Sequence, residues 1–155
     1  MTIVNAAIAI SKKALDKAME KVKRLTPRRT HVSLEQAMNT INKWYQGWAT
    51  YFKMTQYPAQ LKKIEAHIRR RLRARIVRQQ KRKRHLYHKL VKLGVNQRTA
   101  AKTAYSNCKT WALSRTRALE QAYSVDWFTD RMGQEIFSDL NLPGWFGIQE
   151  WVKLT

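Results

Sequence analysis

Basic side chains crowd the stretch from Leu61 to Arg84, which reads LKKIEAHIRRRLRARIVRQQKRKR. Ammonium and guanidinium groups donate hydrogen bonds and accept none, so their chemistry is the binding of phosphates and other anions. On a helix, like charges four residues apart repel one another, and a bound polyanion would relieve that repulsion. The stretch therefore indicates a surface for an anionic partner.

An apolar stripe runs through the same stretch and argues against a disordered basic tail. At about 100° per residue, one sector of a helix holds Leu61, Ile64, Ile68, Leu72 and Ile76. The opposite sector holds Arg70, Arg73, Lys81 and Arg84, and the positions beside it are Arg69, Arg71 and Arg78. We expect one basic helix that packs through its apolar side and leaves its basic side free.

Other residues that could do chemistry are few. His85 and His88 lie three apart on one helical face, as a metal pair can, but basic surroundings repel a cation. Asp126, Asp130 and Glu135 are spaced as exposed helix residues, and we expect them to pair with basic side chains. The sequence has no glycine-rich phosphate loop, nucleophile elbow or Ser/His/Asp arrangement. We therefore predict no metal, no cofactor and no catalytic residue.

Charge is distributed unevenly along the chain, which has 155 residues, 31 of them Lys or Arg, and a net charge of +21. No acidic residue lies between Glu65 and Glu120, whereas residues 120–155 hold six of the ten acids. A basic, aromatic middle indicates nucleic acid first and an anionic membrane surface second. The hydrophobic content of 44%, with six Trp, suffices for one compact domain.

The single cysteine, Cys108, excludes an internal disulfide and a cysteine-rich zinc cluster, and it suits a reducing compartment. The opening segment TIVNAAIAI is apolar but far shorter than a membrane-spanning helix, and no basic residue precedes it. We therefore predict neither a signal peptide nor a transmembrane segment.

Capping signals mark two helices in the first part of the chain. Residues 1–10 are predicted to form a strand-like lead-in with no visible sheet to join. Ser11 is the predicted N-cap of a helix over Lys12–Leu25. Ser33 and Gln36 fit a capping box that opens a second helix with a wide aromatic face.

A third helix, the basic one, is predicted to open at Tyr57-Pro58, because proline suits a first helical turn. Three helices with facing apolar stripes predict an all-α bundle over residues 11–84. Short helices of the same domain are predicted over residues 85–128, one of them at Trp111–Tyr123. Residues 129–155 form an acidic, aromatic tail.

Two of the short helices are separated by a tight turn. Gly94 is the predicted C-terminal cap of a helix over His85–Leu93, and Asn96 can cap another that reaches Tyr105. Such a pair also resembles a DNA-reading helix-turn-helix, so a DNA-binding regulator that uses residues 85–105 is the alternative function. A membrane-active basic protein is a third class.

Short motifs follow one another along the first three helices: Arg24-Leu25-Thr26, Ser33-Leu34-Glu35, Gly47-Trp48 with Tyr51-Phe52, and Ile68-Arg69-Arg70-Arg71-Leu72-Arg73. Further motifs are Lys92-Leu93-Gly94, Ala104-Tyr105-Ser106, Trp111-Ala112-Leu113-Ser114 and Ala118-Leu119. In order and separation they resemble the thumb, or domain X, of group II intron-encoded maturases and reverse transcriptases, over residues 8–128. Where these proteins usually carry an aromatic residue before Ile-Arg-Arg-Arg, this chain has His67, and their Ser-Asn-Thr-Pro turn is Ser114-Arg115-Thr116-Arg117.

The resemblance implies an RNA-binding domain that stabilises structured group II intron RNA and assists its splicing. In a complete enzyme the same region would hold the template and primer. The Tyr-X-Asp-Asp motif of a polymerase palm, whose carboxylates bind two metal ions, is missing from the sequence, as are the paired Cys-X-X-Cys ligands of an endonuclease. We therefore expect no enzymatic activity from this chain alone.

The expected partners are structured intron RNA and a separately encoded reverse transcriptase palm, with no membrane. The expected location is the cytoplasm, within a bacterial or organellar ribonucleoprotein. RNA contacts are predicted for Arg69, Arg70, Arg71, Arg73, Arg78, Lys81, Arg82, Lys83, Arg84, Lys89, Lys92, Arg115 and Arg117.

Overall fold

The computed structural model describes residues 2–4, 7–52, 55 and 57–132. Within these ranges the chain forms two strands and eight helices: β1 (Thr2–Val4), β2 (Ala7–Ala9), α1 (Lys12–Leu25), α2 (Leu34–Phe52), α3 (Pro58–Gln79), α4 (Lys83–Lys92), α5 (Gln97–Ala104), α6 (Thr110–Leu113), α7 (Arg117–Ala122) and α8 (Val125–Met132). Apart from a short hairpin the described elements are helices, which confirms the predicted all-α class.

The lead-in forms a hairpin with itself. β1 and β2 pair in antiparallel fashion with Ile3 opposite Ile8, so the expectation of a strand without a sheet is wrong. The side-chain amide of Gln60 on α3 accepts from the Ile10 N–H and donates to the Ile10 carbonyl, both at 2.9 Å. Because Ile10 is buried, these bonds satisfy backbone groups that water cannot reach. They also fix the end of the hairpin against α3.

The first two helices begin where their capping residues predict. At the start of α1, the Ser11 hydroxyl accepts a hydrogen bond from the Ala14 N–H at 3.3 Å. Before α2, the Ser33 hydroxyl accepts from the Gln36 N–H at 3.1 Å, and the Gln36 side chain accepts from the Ser33 N–H at 3.2 Å. Each bond satisfies an N–H that has no partner within the helix. Both predicted caps are confirmed.

Helix α3 lies at the centre of the bundle, where it packs against α1, α2 and α6. Its predicted apolar stripe faces the core: Leu61 is half-buried, and the buried members are Ile64, Ile68, Leu72 and Ile76. The buried four share one hydrophobic cluster with residues of α1 and α2. Removal of this apolar surface from water is the main force that holds the three helices together.

The basic helix is shorter than predicted. α3 ends at Gln79, Gln80 has an extended backbone with φ −82° and ψ 93°, and α4 begins at Lys83. A single helix through Arg84 is therefore wrong. The break lets α4 turn back so that Leu86 and Leu90 are buried in the core. Burial of these side chains outweighs the continuation of a helix that would next add Gln80 and four consecutive cations, Lys81 to Arg84.

Helices α4 and α5 pack as a hairpin. Gly94 adopts φ 93°, its N–H donates to the Val91 carbonyl, and the Val95 N–H donates to the Leu90 carbonyl, both at 3.0 Å. These two bonds close α4 in the manner typical of a glycine C-terminal cap. The Asn96 side chain then caps α5 by accepting a backbone N–H at 2.9 Å. The predicted turn is thus confirmed.

The helix predicted over Trp111–Tyr123 is divided into α6 and α7 by a short turn. The Ser114 hydroxyl donates to the Trp111 carbonyl at 2.6 Å, and the Thr116 hydroxyl donates to the Leu113 carbonyl at 2.7 Å. These side-chain bonds compete with the backbone ladder and end α6. One continuous helix is therefore wrong.

Helix α8 joins the core through Phe128, which is fully buried. Residues 133–155 of the predicted tail, including Glu135, lie outside the described residues. Across the part of the chain that the structure describes, no helix is both long enough and apolar enough to cross a bilayer.

Candidate nucleic-acid interface

Several arginines of α3 donate hydrogen bonds to the ends of the helices around it, and Arg71 makes three such bonds. Its Nε donates to the Thr26 hydroxyl at 3.1 Å, and its Nη2 donates to the carbonyls of Thr26 at 2.8 Å and Lys23 at 3.3 Å. These carbonyls lie at the C-terminal end of α1, where they have no partner within the helix and carry the negative end of its dipole. Arg71 therefore holds α1 against α3.

Arg70 makes a similar connection to α6. Its Nη2 donates to the Trp111 carbonyl at 3.2 Å, and its Nε donates to the Ser114 hydroxyl at 3.3 Å. The guanidinium also lies 3.8 Å from the centre of the Trp111 ring, which is close enough for a cation–π interaction. Arg70 thus fixes both the backbone and the indole of α6.

Arg73 and Arg75 donate into the fold as well. Arg73 Nε donates at 2.9 Å to the carbonyl of Tyr123, which caps α7, and burial lowers the pKa of Arg73 to about 10 while Glu120 opposes the shift. Arg75 is only 1% exposed, and its Nη2 donates to the carbonyl of Val32 just before α2. With its pKa at about 10, Arg73 remains charged at neutral pH.

The expectation that Arg70 and Arg73 project freely opposite the apolar stripe is therefore wrong. A projection onto one helix assumes one packed side, whereas α3 has neighbours on several sides. Carbonyl oxygens of those neighbours, rather than an external polyanion alone, offset the crowded charge of the arginines. Contact of Arg70, Arg71 and Arg73 with RNA stays a prediction.

The other predicted contact residues stand mostly in solvent. Arg69 is half-buried, and the exposed ones are Arg78, Lys81, Arg82, Lys83, Arg84, Lys89, Lys92, Arg115 and Arg117. Lys83 donates to the Ser106 carbonyl at 3.3 Å and to Asn107 Oδ1 at 3.5 Å, which connects α4 to the segment after α5.

A concave basic surface forms where the end of α1, the middle of α3 and the start of α6 meet. This basic groove has a volume of about 650 Å³ and is lined by Lys23, Arg28, His67, Arg71, Arg78, Lys109, Thr110 and Trp111. Five of these side chains are cations and none is an acid. A concave site lined by one sign of charge concentrates counter-ions, so the groove suits a polyanion such as a nucleic-acid backbone.

A second groove adjoins the first, since Arg78 and Thr110 line both. It has a volume of about 340 Å³, its further cations are Lys81 and Lys83, and its lining also holds no acid. The two grooves therefore form one basic track along the side of α3 that faces α6.

A third depression differs in charge. It holds Arg69, Arg70, Arg73 and Arg115, but Glu120 and Asp126 line it too. The two carboxylates would repel a phosphate and partly neutralise the arginines. Among the basic surfaces of the described residues, the track of the first two grooves is the better site for phosphates.

Three cations of the groove are not among the predicted contacts: Lys23, Arg28 and Lys109. Lys23 lies in the last turn of α1, Arg28 lies in the basic loop that follows Leu25, and Lys109 is a lone lysine shortly before Trp111. None adjoins the arginine-rich run in sequence. They reach it only because Arg71 and Arg70 fix the ends of α1 and α6 against α3.

His67 lies in the wall of the groove, and its surroundings favour the neutral form of the imidazole. Its pKa is lowered by burial first, and then by the positive charges of Arg71 and Arg70. The imidazole meets the Trp111 ring edge-on, with 6.1 Å between ring centres. The groove thus contains a neutral imidazole among cations.

The predicted metal pair and acidic group can be placed only in part. His88 Nε2 accepts a hydrogen bond from Arg84 Nε at 3.4 Å, and both His85 and His88 are exposed. In the ranges that the structure describes, no three His, Cys, Asp or Glu side chains cluster as metal ligands would. Asp126 and Asp130 are exposed on α8.

Comparison with known proteins bears on the same region. The family model described as group II intron, maturase-specific domain, matches residues 15–94. No curated protein sequence matches the chain. The matched region runs from α1 to the glycine that closes α4, so it contains the three-helix bundle and the arginines that connect it. Because it is more than half of the chain, the chain belongs to the family of group II intron maturase-specific domains.

Proposed function

We propose that this chain binds structured group II intron RNA and stabilises the folded form in which that RNA splices. The observation that carries the proposal is the basic track, which is free of acids and is assembled from segments far apart in sequence. Membership of the maturase-specific family supplies the class of RNA. The track supplies the chemistry that would hold it.

The mode of binding follows from the side chains on the track. Lysine and arginine donate to phosphate oxygens without regard to base, so they position an RNA backbone rather than read its sequence. The deep major groove of A-form RNA is closed to side chains, so recognition would depend on the shape of the folded intron.

In this proposal the intron RNA performs the splicing chemistry and the protein contributes binding energy. A ligand that binds only the folded form of the RNA shifts its equilibrium toward that form. A separately encoded reverse transcriptase palm is a further proposed partner, with which the same surface would hold template and primer. Both roles place the chain in a ribonucleoprotein in the cytoplasm or an organelle.

A competition experiment tests the proposal. A labelled transcript of a group II intron core is bound to the purified chain and displaced with unlabelled intron RNA, duplex DNA of equal length, or vesicles of anionic lipid. We expect intron RNA to compete best. Stronger competition by duplex DNA would favour a DNA-binding regulator that uses α4 and α5, and stronger competition by vesicles would favour a membrane-active protein.

A splicing experiment tests the consequence of binding. At a magnesium concentration too low for the intron to splice by itself, addition of the chain should restore splicing of its RNA. An intron that binds the chain but splices no faster at any magnesium concentration would contradict a maturase role.

A further inference from the structure

The basic groove contains two kinds of hydrogen-bonding group. Its five cations donate only, as does the indole of Trp111, and these groups match the oxygens of a phosphate. Among the lining side chains, only His67 and Thr110 carry an atom that can accept a hydrogen bond. A phosphodiester has no hydrogen to donate to such an acceptor, whereas the 2′-hydroxyl of a ribose can donate one.

His67 is placed to serve as that acceptor. It is half-buried in the groove wall, and its ring is held edge-on against Trp111. Within the described residues its ring nitrogens form no hydrogen bond to another protein group, and the side chain lines the groove. A neutral imidazole has one nitrogen that donates and one that accepts.

The charges around the ring keep it neutral. Arg70 and Arg71 flank it on α3, and both, together with burial, lower its pKa. The other cations that line the groove with it are Lys23, Arg28, Arg78 and Lys109. No lining carboxylate stabilises the imidazolium. The acceptor nitrogen therefore persists at neutral pH.

Arg71 offers the matching donor. Its Nε and Nη2 are used by the end of α1, but its Nη1 has no acceptor among the described residues and the side chain lines the groove. One nucleotide carries a phosphate and a 2′-hydroxyl close together. A groove of about 650 Å³ has room for such a unit.

We propose that His67 selects RNA over DNA by accepting a hydrogen bond from a ribose 2′-hydroxyl whose neighbouring phosphate binds the cations of the basic groove. This inference rests on the proposed function, because it assumes that RNA occupies the groove. In this proposal His67 distinguishes ribose from deoxyribose, and the cations of the groove supply most of the binding energy.

The test compares two ligands and two variants. The ligands are a synthetic RNA hairpin and the same hairpin with every 2′-hydroxyl replaced by fluorine, which retains A-form geometry but cannot donate. His67→Phe keeps an aromatic ring against Trp111 and removes the acceptor. Lys109→Gln removes one charge from the same groove and serves as the matched control.

We expect the affinity ratio of hydroxyl to fluoro hairpin to fall by roughly five- to tenfold in His67→Phe, which corresponds to one lost hydrogen bond. The affinity of that variant for the fluoro hairpin should equal that of the parent. Lys109→Gln should weaken both hairpins alike and leave the ratio unchanged. His67→Asn, which restores an acceptor, should recover part of the ratio.

The outcomes separate the inference from the function on which it rests. A folded His67→Phe variant that keeps the ratio of the parent overturns the role of His67 while RNA binding stands. If His67→Phe fails to fold, His67→Leu provides the same comparison. A parent protein that binds neither hairpin at low salt overturns the proposed function and this inference together.

Discussion

The guanidinium of Arg71 donates to the carbonyl oxygen of Thr26 at 2.8 Å and thereby joins the middle of α3 to the end of α1. Thr26 is fully buried, so its carbonyl has no access to water. A second bond to the Thr26 hydroxyl at 3.1 Å holds the same pair together. An arginine in a strongly basic run is thus part of the structure that forms the basic groove.

Replacement of Arg71 by methionine should lower the free energy of unfolding by about 2–4 kcal/mol, since it leaves buried acceptors without a donor. Urea denaturation followed by circular dichroism measures the change. Arg71→Lys should also destabilise, because one ammonium cannot reproduce the fork of a guanidinium. Arg78→Gln, at an exposed position on the same helix, should stay within about 0.5 kcal/mol of the parent. Equal stabilities of Arg71→Met and Arg78→Gln would show that these bonds do not hold α1.

The buried pair of Tyr45 and Glu65 predicts a pH dependence of stability. The Tyr45 hydroxyl donates to Glu65 Oε1 at 2.5 Å, and Glu65 is 5% exposed. Burial raises the pKa of Glu65 from 4.5 to about 7, although the Tyr45 bond and Arg69 oppose the rise. The folded state therefore binds this proton more tightly than the unfolded state does.

The contribution of Glu65 is consequently full below pH 4.5 and is lost as pH rises through about 7. The lowered pKa of His67 makes stability rise with pH instead. The pH dependence of the parent alone therefore does not isolate the contribution of Glu65. Glu65→Gln lacks this titration. Between pH 4.5 and 8 the free energy of unfolding of the parent should therefore fall, relative to that of Glu65→Gln, by on the order of 2–3 kcal/mol. A difference that is independent of pH would contradict the raised pKa of Glu65.

Replacement by alanine should change the stability in opposite directions at Gly47 and Gly94. Gly94 has φ 93°, where a side chain is strained, so Gly94→Ala should cost about 1 kcal/mol. Gly47 lies in the middle of α2 with no atom within 4 Å of an added Cβ, so Gly47→Ala should stabilise by about 0.5–1 kcal/mol. Thermal melting of both variants checks the signs, and a stabilised Gly94→Ala would contradict the turn.

Leu72 should be among the most sensitive core positions, because it is fully buried in the middle of α3. Leu72→Ala should lower the free energy of unfolding by about 2–5 kcal/mol through lost burial and a residual cavity. Leu72→Asp should prevent folding, since it buries an unpaired charge. Circular dichroism distinguishes the two. If Leu72→Asp melts like the parent, the apolar stripe of α3 does not form part of the core.

Local signals in the sequence predicted much of the fold. The caps at Ser11 and Ser33, the glycine at Gly94 and the stripe through Leu72 all depend on neighbours within one or two helical turns. Such short-range physics is visible in one sequence. The break after Gln79 was not visible, because it depends on the burial of side chains that come later in the chain.

The candidate site was predicted less completely. Arg70 and Arg73 were expected to be free because a helical projection contains no information about α6 and α7. Their replacement would disturb packing as well as charge, so they are poor probes of binding. Lys23 and Lys109 were missed because only the folded chain brings them beside Arg78. The basic groove combines residues of segments that are distant in sequence. Its position depends on tertiary contacts, which a local sequence pattern does not contain.

The most direct test of the central claim is the salt dependence of RNA affinity for a groove variant. Arg78→Gln with Lys109→Gln removes two exposed charges that line the groove. The matched variant is Lys12→Gln with Lys13→Gln, at the opposite end of α1, where a rise of about 1.5 Å per residue sets them some 15 Å from the groove end of that helix.

Affinity for intron RNA is measured across a salt series for the parent and both variants, with folding monitored in parallel. We expect the groove variant to bind more weakly and its slope of log K against log salt to flatten by about 1.4–1.8, for two lost phosphate contacts. The matched variant should keep the slope of the parent. A folded groove variant with the parent's slope and affinity would contradict the placement of RNA in the basic groove.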